Sequence, residues 1–479
     1  MKKLFSMLVV ILLLSVTLSS CEFPQIPWLN NGGNGEPEEP EELTTKALLD
    51  NMSDAMDGLS SLEVNGKTKI TLYVAATKMN IVGTSKTIFR VRSATNDSFT
   101  YFYNETDTTA KSAGIESNIS TVEAFDDGKY FFSYSNDGRV KKMYSQNTSD
   151  EFMDYYTSQS DGIDIFGGYG KASHVKNADG TYTLTLKEYD SENADYFNES
   201  FGLPMENGGG RITDYVITVT VNSDYSITDI VIDYVFSNTE FSGSQTLTLT
   251  NHNNAEELSD AIDINEYTQV SDAIAVASYS KLISDRQNSK KGCFTFSMSQ
   301  TATLAGSTSQ YWENDKVSYG VNDDGYYFDI AAEIRGSKHT ITYIDGKYKV
   351  DGELDKSTDH NDVTSKAFVD GLINPFGVQP SEIMDVTVSK SGRNTVYTFK
   401  LAPSYGAVVD KLTAIFQSAG ATYKSANIHM EITVKDSELI SLRYTAEALG
   451  EVRQYNSTYN MGLDIESVTD FTGGQYSGS

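Results

Sequence analysis

The sequence predicts an α+β fold made of two tandem homologous domains, and three observations support this. Segments that alternate in polarity and are rich in β-branched and aromatic residues follow one another along the chain, for example residues 69–74 and 215–221. Asp-Gly pairs such as Asp127-Gly128, the preferred pair of a type I′ hairpin, lie between them. A few short helical patterns carry one apolar face, so each must pack against a sheet.

Short motifs recur in the same order roughly 210 residues apart, which is typical of a tandem duplication. Asp127-Gly128-Lys129-Tyr130 returns as Asp345-Gly346-Lys347-Tyr348, and residues 161–167 return, with one insertion, as residues 370–377. Tyr182, Leu184 and Leu186 match Tyr397, Phe399 and Leu401, while Ile230, Ile232 and Tyr234 match Ile440, Leu442 and Tyr444. We therefore expect β-rich domains at residues 44–270 and 271–479.

The first 20 residues have the pattern of a signal peptide, with Lys2 and Lys3 before an apolar run at residues 4–18. The following Leu18-Ser19-Ser20-Cys21 resembles the lipobox of bacterial lipoproteins, although Ser20 stands where Gly or Ala is usual. The resemblance implies that Cys21 becomes a diacylglyceryl cysteine, carries palmitate-type acyl chains and anchors the protein on the extracytoplasmic side of the cell membrane. Residues 21–43, rich in Pro, Gly and Glu, are predicted to form an acidic disordered tether.

Charge and composition exclude several classes of function. The formal net charge is −29, and removal of Lys2 and Lys3 with the signal peptide brings it to −31, so the mature chain repels nucleic acid. Once Cys21 is acylated, Cys293 is the remaining cysteine, and the five histidines lack zinc-motif spacing, so we expect no metal site and no cofactor. Nucleophile elbows, phosphate loops and dinucleotide fingerprints are missing from the sequence, so we expect that the protein is not an enzyme. We also expect it to be a monomer.

Two predicted helices supply the candidate ligand-binding residues. One begins at Thr44 or Thr45, and another covers residues 404–420, with Ser404 as its cap and Gly420 at its end. Their apolar faces hold Leu48, Met52, Met56 and Leu59 in the first helix, and Val408, Leu412, Ile415 and Phe416 in the second. At this spacing the side chains either line a lipid pocket or fill an ordinary core.

The order of helix, strands, helical insert and closing strands, together with the lipobox, resembles LolA/LppX/LprG-like lipoproteins and lipid carriers. In that family a curved antiparallel sheet forms a half-barrel with helices on its concave face and an apolar cavity for acyl chains. The resemblance implies two such domains and a function in binding a lipid or other hydrophobic ligand at the cell envelope. The alternative is a surface adhesin or structural lipoprotein that binds a protein or glycan, and a hollow or filled interior distinguishes the two.

Overall fold

The computed structural model describes most of the chain after the predicted tether. The described residues are 43–57, 59–74, 77–93, 96–112, 115–136, 138–158, 169–189, 194, 197, 212–237, 240–257, 262–287, 289, 291–322, 325–355, 360–436, 438–454 and 457–472. The predicted signal peptide, Cys21 and the predicted tether up to residue 42 lie outside this range.

The chain divides into two compact units, Met1–Gln269 (unit 1) and Val270–Ser479 (unit 2). The helices are α1 (Thr45–Asp57) and α2 (Ser149–Ser158) in unit 1, and α3 (Ala273–Gln287), α4 (Asp362–Ile373) and α5 (Ala407–Ser418) in unit 2. Short 3-10 turns lie at Ile264–Glu266 and Pro380–Glu382.

Unit 1 contains the first 12 strands. They are β1 (Ser61–Val74), β2 (Thr77–Ser93), β3 (Asn96–Ser112), β4 (Ile115–Asp126), β5 (Lys129–Asn136), β6 (Arg139–Gln146), β7 (Tyr169–Lys176), β8 (Tyr182–Tyr189), β9 (Ile212–Val221), β10 (Ile227–Phe236), β11 (Ser242–Thr250) and β12 (Thr268–Gln269).

Unit 2 contains the other 11 strands. They are β13 (Lys291–Leu304), β14 (Ser307–Asn322), β15 (Gly325–Ile334), β16 (Ser337–Ile344), β17 (Lys347–Val350), β18 (Glu353–Leu354), β19 (Ile383–Ser391), β20 (Asn394–Leu401), β21 (Ala421–Lys435), β22 (Glu438–Gln454) and β23 (Ser457–Asp470).

The predicted α+β class, with a half-barrel sheet and helices on its concave face, is wrong because the described chain is mostly β and builds two large sheets of 12 and 11 strands. Strand residues far outnumber those of the five short helices. The strands extend well beyond the segments that alternate in polarity. For example, β3 continues through Thr106–Ser112, although this segment has a single apolar residue. It stays a strand because β2 and β4 supply backbone hydrogen bonds along it.

The two sheets share one strand order. The order is β12-β6-β5-β4-β3-β2-β1-β11-β10-β9-β8-β7 in unit 1 and β18-β17-β16-β15-β14-β13-β23-β22-β21-β20-β19 in unit 2. Apart from the two-residue parallel strand β12, the orders correspond strand for strand, with β1 equivalent to β13 and β11 to β23. In each unit the first strand pairs with the last full strand, β1 with β11 and β13 with β23. This pairing joins the antiparallel strands from the two halves of the unit into one sheet.

The hydrogen-bond register of the strands shows which residues of the two units are equivalent, and it corrects the matches made from motifs. The β9–β10 and β21–β22 hairpins carry a bulge at the same place, which makes Ile232 equivalent to Tyr444, two residues away from the motif match with Tyr234. The strand pairings can be traced from this hairpin across each sheet to β4 in unit 1 and β16 in unit 2. This tracing makes Asp127-Gly128 equivalent to Asp345-Gly346. All four residues have positive φ, between 46° and 70°, as a type I′ turn requires.

The described helices pack on the sheets. In unit 1, α2 contacts β3. In unit 2, α4 contacts β15 and α5 contacts β21. The predicted helix at Thr45 is confirmed, whereas the second begins after Gly406 and Ser404 does not cap it.

Candidate functional site

A row of polar side chains lies on one face of the unit 1 sheet, and all of them are buried. The set is Thr68 on β1, Ser85 and Thr87 on β2, Asn104 and Thr106 on β3, Glu123 on β4 and Gln245 on β11. Thr87 is directly opposite Asn104, which is opposite Glu123 on the next strand. Because side chains two residues apart on a strand share a face, the strand pairings place the whole set together. We call it the polar row.

Part of the polar row is satisfied by hydrogen bonds. The Thr87 hydroxyl donates to Asn104 Oδ1 at 2.8 Å. The hydroxyls of Tyr130 on β5 and Tyr155 on α2 both donate to Glu123 Oε1, each at 2.5 Å. These bonds tie helix α2 to the middle of the sheet.

Glu123 is 6% exposed, and burial raises the pKa of its carboxyl because the charged form loses its hydration. The two tyrosine hydrogen bonds oppose this shift, since they favour the carboxylate. Burial also raises the pKa of Tyr130 and of Tyr155 well above its ordinary value, and the neighbouring Glu123 adds to both shifts. Both phenols are therefore protonated donors at neutral pH.

Four atoms of the polar row have no hydrogen-bond partner: Thr68 Oγ1, Ser85 Oγ, Asn104 Nδ2 and Thr106 Oγ1. Ser85 and Thr106 are directly opposite each other, and Asn104 is two residues from Thr106 on the same strand. A buried polar atom without a partner costs about 1–3 kcal/mol, so four together destabilise the unit substantially. Such a group indicates a place where a polar molecule supplies the missing bonds.

Aromatic side chains border the polar row on the same sheet face. Phe102 and Phe125 each lie two residues from a member of the row and pack against Phe152 of α2, with ring centroids 5.2 and 4.9 Å apart. Tyr156, also on α2, contacts Phe102 edge-on at 4.9 Å. This sheet face is thus amphiphilic: the unpaired polar atoms on β1, β2 and β3 share it with an apolar surface that packs against α2.

Unit 2 is apolar at most of the equivalent positions. By register, Thr68, Thr87, Asn104, Thr106 and Glu123 correspond to Met298, Val317, Ile330, Ala332 and Ile341. Val317, Ile330 and Ala332 belong to a packed hydrophobic cluster with Val369 and Ile373 of α4, and Met298 and Ile341 pack against it. These five positions are therefore part of an ordinary core in unit 2.

That face of unit 2 also keeps buried polar residues: Asp315 at the position equivalent to Ser85, Ser467 at the position equivalent to Gln245, and Thr469 beside it on β23. Asp315 is 4% exposed, and its Oδ1 and Ser467 Oγ have no partner. Burial, together with the charge and hydrogen bond of Glu313 two residues away, raises the pKa of Asp315 to about 7. Tyr311 in turn donates to Glu313 Oε2 at 2.7 Å.

A second feature lies on the opposite face of β1–β3 in unit 1. It is an open depression of about 260 Å³ whose floor includes Gly66 and Ser85. Its rim carries both charges, from Lys67, Lys86, Glu105 and Asp107. A depression of this kind suits a polar ligand.

The candidate residues named from the sequence are buried. Leu48, Met52, Met56 and Leu59 are at most 4% exposed, Val408, Leu412 and Phe416 at most 3%, and Ile415 is partly buried. A Cβ added to Gly450 would lie 2.5 Å from Phe416 Cδ1, so that ring sits directly on the sheet backbone. Burial alone fits a lined pocket and a filled core equally, so cavity lining stays a prediction for this set.

Sequence reasoning missed the polar row, although one signal for it was present. In Lys67-Thr68-Lys69-Ile70 the lysines and Ile70 occupy opposite faces, which already placed Thr68 on the buried side. In β2, likewise, Lys86 takes the exposed side and leaves Ser85 and Thr87 inside.

Two searches for other functional features gave negative results over the described residues. Within the ranges given above, no helix has the length and apolar character needed to cross a membrane. In the same ranges no three His, Cys, Asp or Glu side chains come together in a way that could hold a metal ion.

Comparison with known proteins gives no relative that identifies the chain. No known protein family and no curated protein matches it. The translocator domain of the autotransporter NalP from Neisseria meningitidis aligns at 8% identity over 89% of this chain and 92% of its own, with a TM-score of 0.12. A porin-like protein from Bacteroides uniformis aligns at 8% identity over 85% and 96%, with a TM-score of 0.09. The β-domain of the Bordetella autotransporter BrkA aligns at 6% over 86% and 99%, with 0.11. Likenesses this low carry no argument.

Proposed function

We propose that the chain is a membrane-anchored extracytoplasmic lipoprotein that binds a lipid or other hydrophobic ligand at the cell envelope. The lipid on Cys21 provides the membrane attachment, and the acidic segment that follows holds the folded units away from the bilayer. The protein acts as a monomer, without a cofactor, and its net charge of −29 keeps it off nucleic acids.

The observation that carries this proposal is the amphiphilic face of the unit 1 sheet, part of which packs against α2. Four buried polar atoms on this face lack partners, and the aromatic surface of Phe102 and Phe125, which packs against Phe152, lies on the same face. An apolar ligand body gains free energy by contact with such a surface, since each buried methylene contributes about 0.8 kcal/mol. Ligand pockets are generally apolar with a few placed polar groups, which is the composition found here.

The test combines native mass spectrometry with a titration. Protein purified from its own host should carry an apolar mass that denaturation releases, and purified delipidated protein should saturably bind a dansyl-labelled fatty acid that is supplied as its uncharged methyl ester. Phe152→Leu should weaken that binding several-fold because it removes ring contacts with Phe102 and Phe125.

The matched control is Phe368→Leu on helix α4 of unit 2, where the ring is 41% exposed. Its binding curve should coincide with that of the wild type. Absence of any released ligand, together with no saturable binding of the labelled fatty acid, would contradict the proposal.

The alternative, a surface adhesin or structural lipoprotein, is favoured by one observation: the charged depression on the outer face of β1–β3. A protein or glycan that binds there should lose affinity when Lys67 and Asp107 are both replaced by alanine. Binding of the protein to host-cell surfaces or a glycan array, abolished by that double variant, would favour this function over the first.

A further inference from the structure

The two units have kept the same fold but differ in one sheet face. In unit 1 that face holds the polar row, whereas in unit 2 five of the seven equivalent residues are apolar and pack in or against one cluster with α4. Unit 2 keeps two unpaired atoms at the equivalent positions, Asp315 Oδ1 and Ser467 Oγ, whereas the polar row has four. Ile330 shows that the position of Asn104 accepts an apolar side chain in the same strand order. The larger set of unpaired neutral atoms therefore favours unit 1 as the binding copy.

We infer that unit 1 alone is the ligand-binding copy, and that its polar row selects ligands with a neutral, hydroxyl-bearing head group. This inference rests on the proposed function of hydrophobic ligand binding and specifies the head group and the unit.

The chemistry of the unpaired atoms defines that head group. Thr68, Ser85 and Thr106 offer hydroxyls that both donate and accept, and Asn104 offers an amide N–H. No lysine or arginine belongs to the polar row, so nothing in the row neutralises an anion. The carboxyl of Glu123 lies opposite Asn104 and disfavours a negative head group further. A head group with several neutral hydroxyl or carbonyl oxygens matches these partners.

The test compares two probes with the same acyl chain, used below their micelle-forming concentrations. 1-Decanoylglycerol carries two free hydroxyls, whereas methyl decanoate carries the same chain and an ester but no hydroxyl. Calorimetric titration of the delipidated full-length protein should show at least a tenfold preference for 1-decanoylglycerol, because each additional hydrogen bond contributes roughly a factor of 2–13 in affinity.

The diagnostic variant is Thr68→Val with Thr106→Val, since valine keeps the shape of threonine and removes only the hydroxyl. Neither hydroxyl has a partner in the unliganded protein, so the double variant should fold and melt no lower than the wild type. It should lose the preference for 1-decanoylglycerol and still bind methyl decanoate. Ser467→Ala removes the equally buried, unpaired hydroxyl of Ser467 in unit 2 and should leave both affinities unchanged.

The outcomes separate the two hypotheses. Equal binding of both probes by the wild type, or an unchanged preference in the double valine variant, overturns the inference and leaves the proposed function standing. A preference lost in Ser467→Ala instead places the site in unit 2 and also overturns it. Saturable binding of neither probe nor the labelled fatty acid overturns the proposed function itself.

Discussion

Asp315→Asn should make unit 2 more stable at neutral and alkaline pH without changing its stability in acid. The carboxyl is buried beside Glu313, and its pKa in the folded protein is about 7, compared with an ordinary value of 3.8. Below pH 4 the group is protonated in the folded and unfolded chain alike. Between pH 4 and 7 the unfolded chain releases the proton while the folded chain holds it, so stability falls as the pH rises.

The size of the effect follows from the shift. A difference of 7 − 3.8, about 3 units, corresponds to at most about 4 kcal/mol. Since local relaxation and water penetration reduce the penalty, we expect about 2 kcal/mol between pH 4 and pH 8. Asparagine has nearly the same shape as aspartate and no charge, so the variant should lose this pH dependence and exceed the wild type by that amount at pH 8.

The assay is urea unfolding at several pH values, followed by the fluorescence of Trp312. This side chain lies on β14, three residues from Asp315, and the only other tryptophan is Trp28. Asp329→Asn, an exposed acid on the adjacent strand β15, is the control and should keep the wild-type pH profile. Parallel profiles for the wild type and Asp315→Asn would refute the assignment of the buried acid.

Three other predictions are open to direct measurement. Cys21→Ser should release the protein from the membrane fraction, and a processed variant that still sediments with membranes would argue against the lipid anchor. Phe416→Ala should lower the free energy of unfolding by about 3–5 kcal/mol, with fatty-acid affinity unchanged, because its ring is fully buried in unit 2; weaker binding would instead make it a pocket residue. Gly346→Ala should cost about 1–2 kcal/mol because φ is +70° there, whereas Gly371→Ala on helix α4 should be neutral or stabilising.

The sequence predicted the hairpins and the first helix because these are encoded locally. Asp345-Gly346 forms the positive-φ turn its residue types favour, and α1 at Thr45–Asp57 begins where its capping threonine predicted. The fold class was predicted wrongly because strand length is decided by neighbours. The polar half of β3 has no apolar alternation of its own, yet it is held between β2 and β4 to its last residue.

Motifs indicated that the two units resemble each other, but they could not give the register, because side chains two residues apart on a strand occupy the same face and match equally well. The bulge opposite Thr220 and Thr433 resolves the ambiguity.

Once the register is known, unit 2 serves as an internal reference for unit 1. Asn104 and Ile330 occupy the same place in the same strand order, so the backbone does not demand a polar residue there. A threonine or asparagine in a strand is ordinarily interpreted as solvent-facing. The alternation around Thr68 indicates the opposite, and for Asn104 and Thr106 the pairing with the next strand shows that the side chains point inward. The proposal that this face binds a ligand thus rests on a difference between the two units, which neither unit reveals alone. If the polar row were only structural, replacing it with the residues of unit 2 would change stability alone, and the loss of head-group preference is what separates the two explanations.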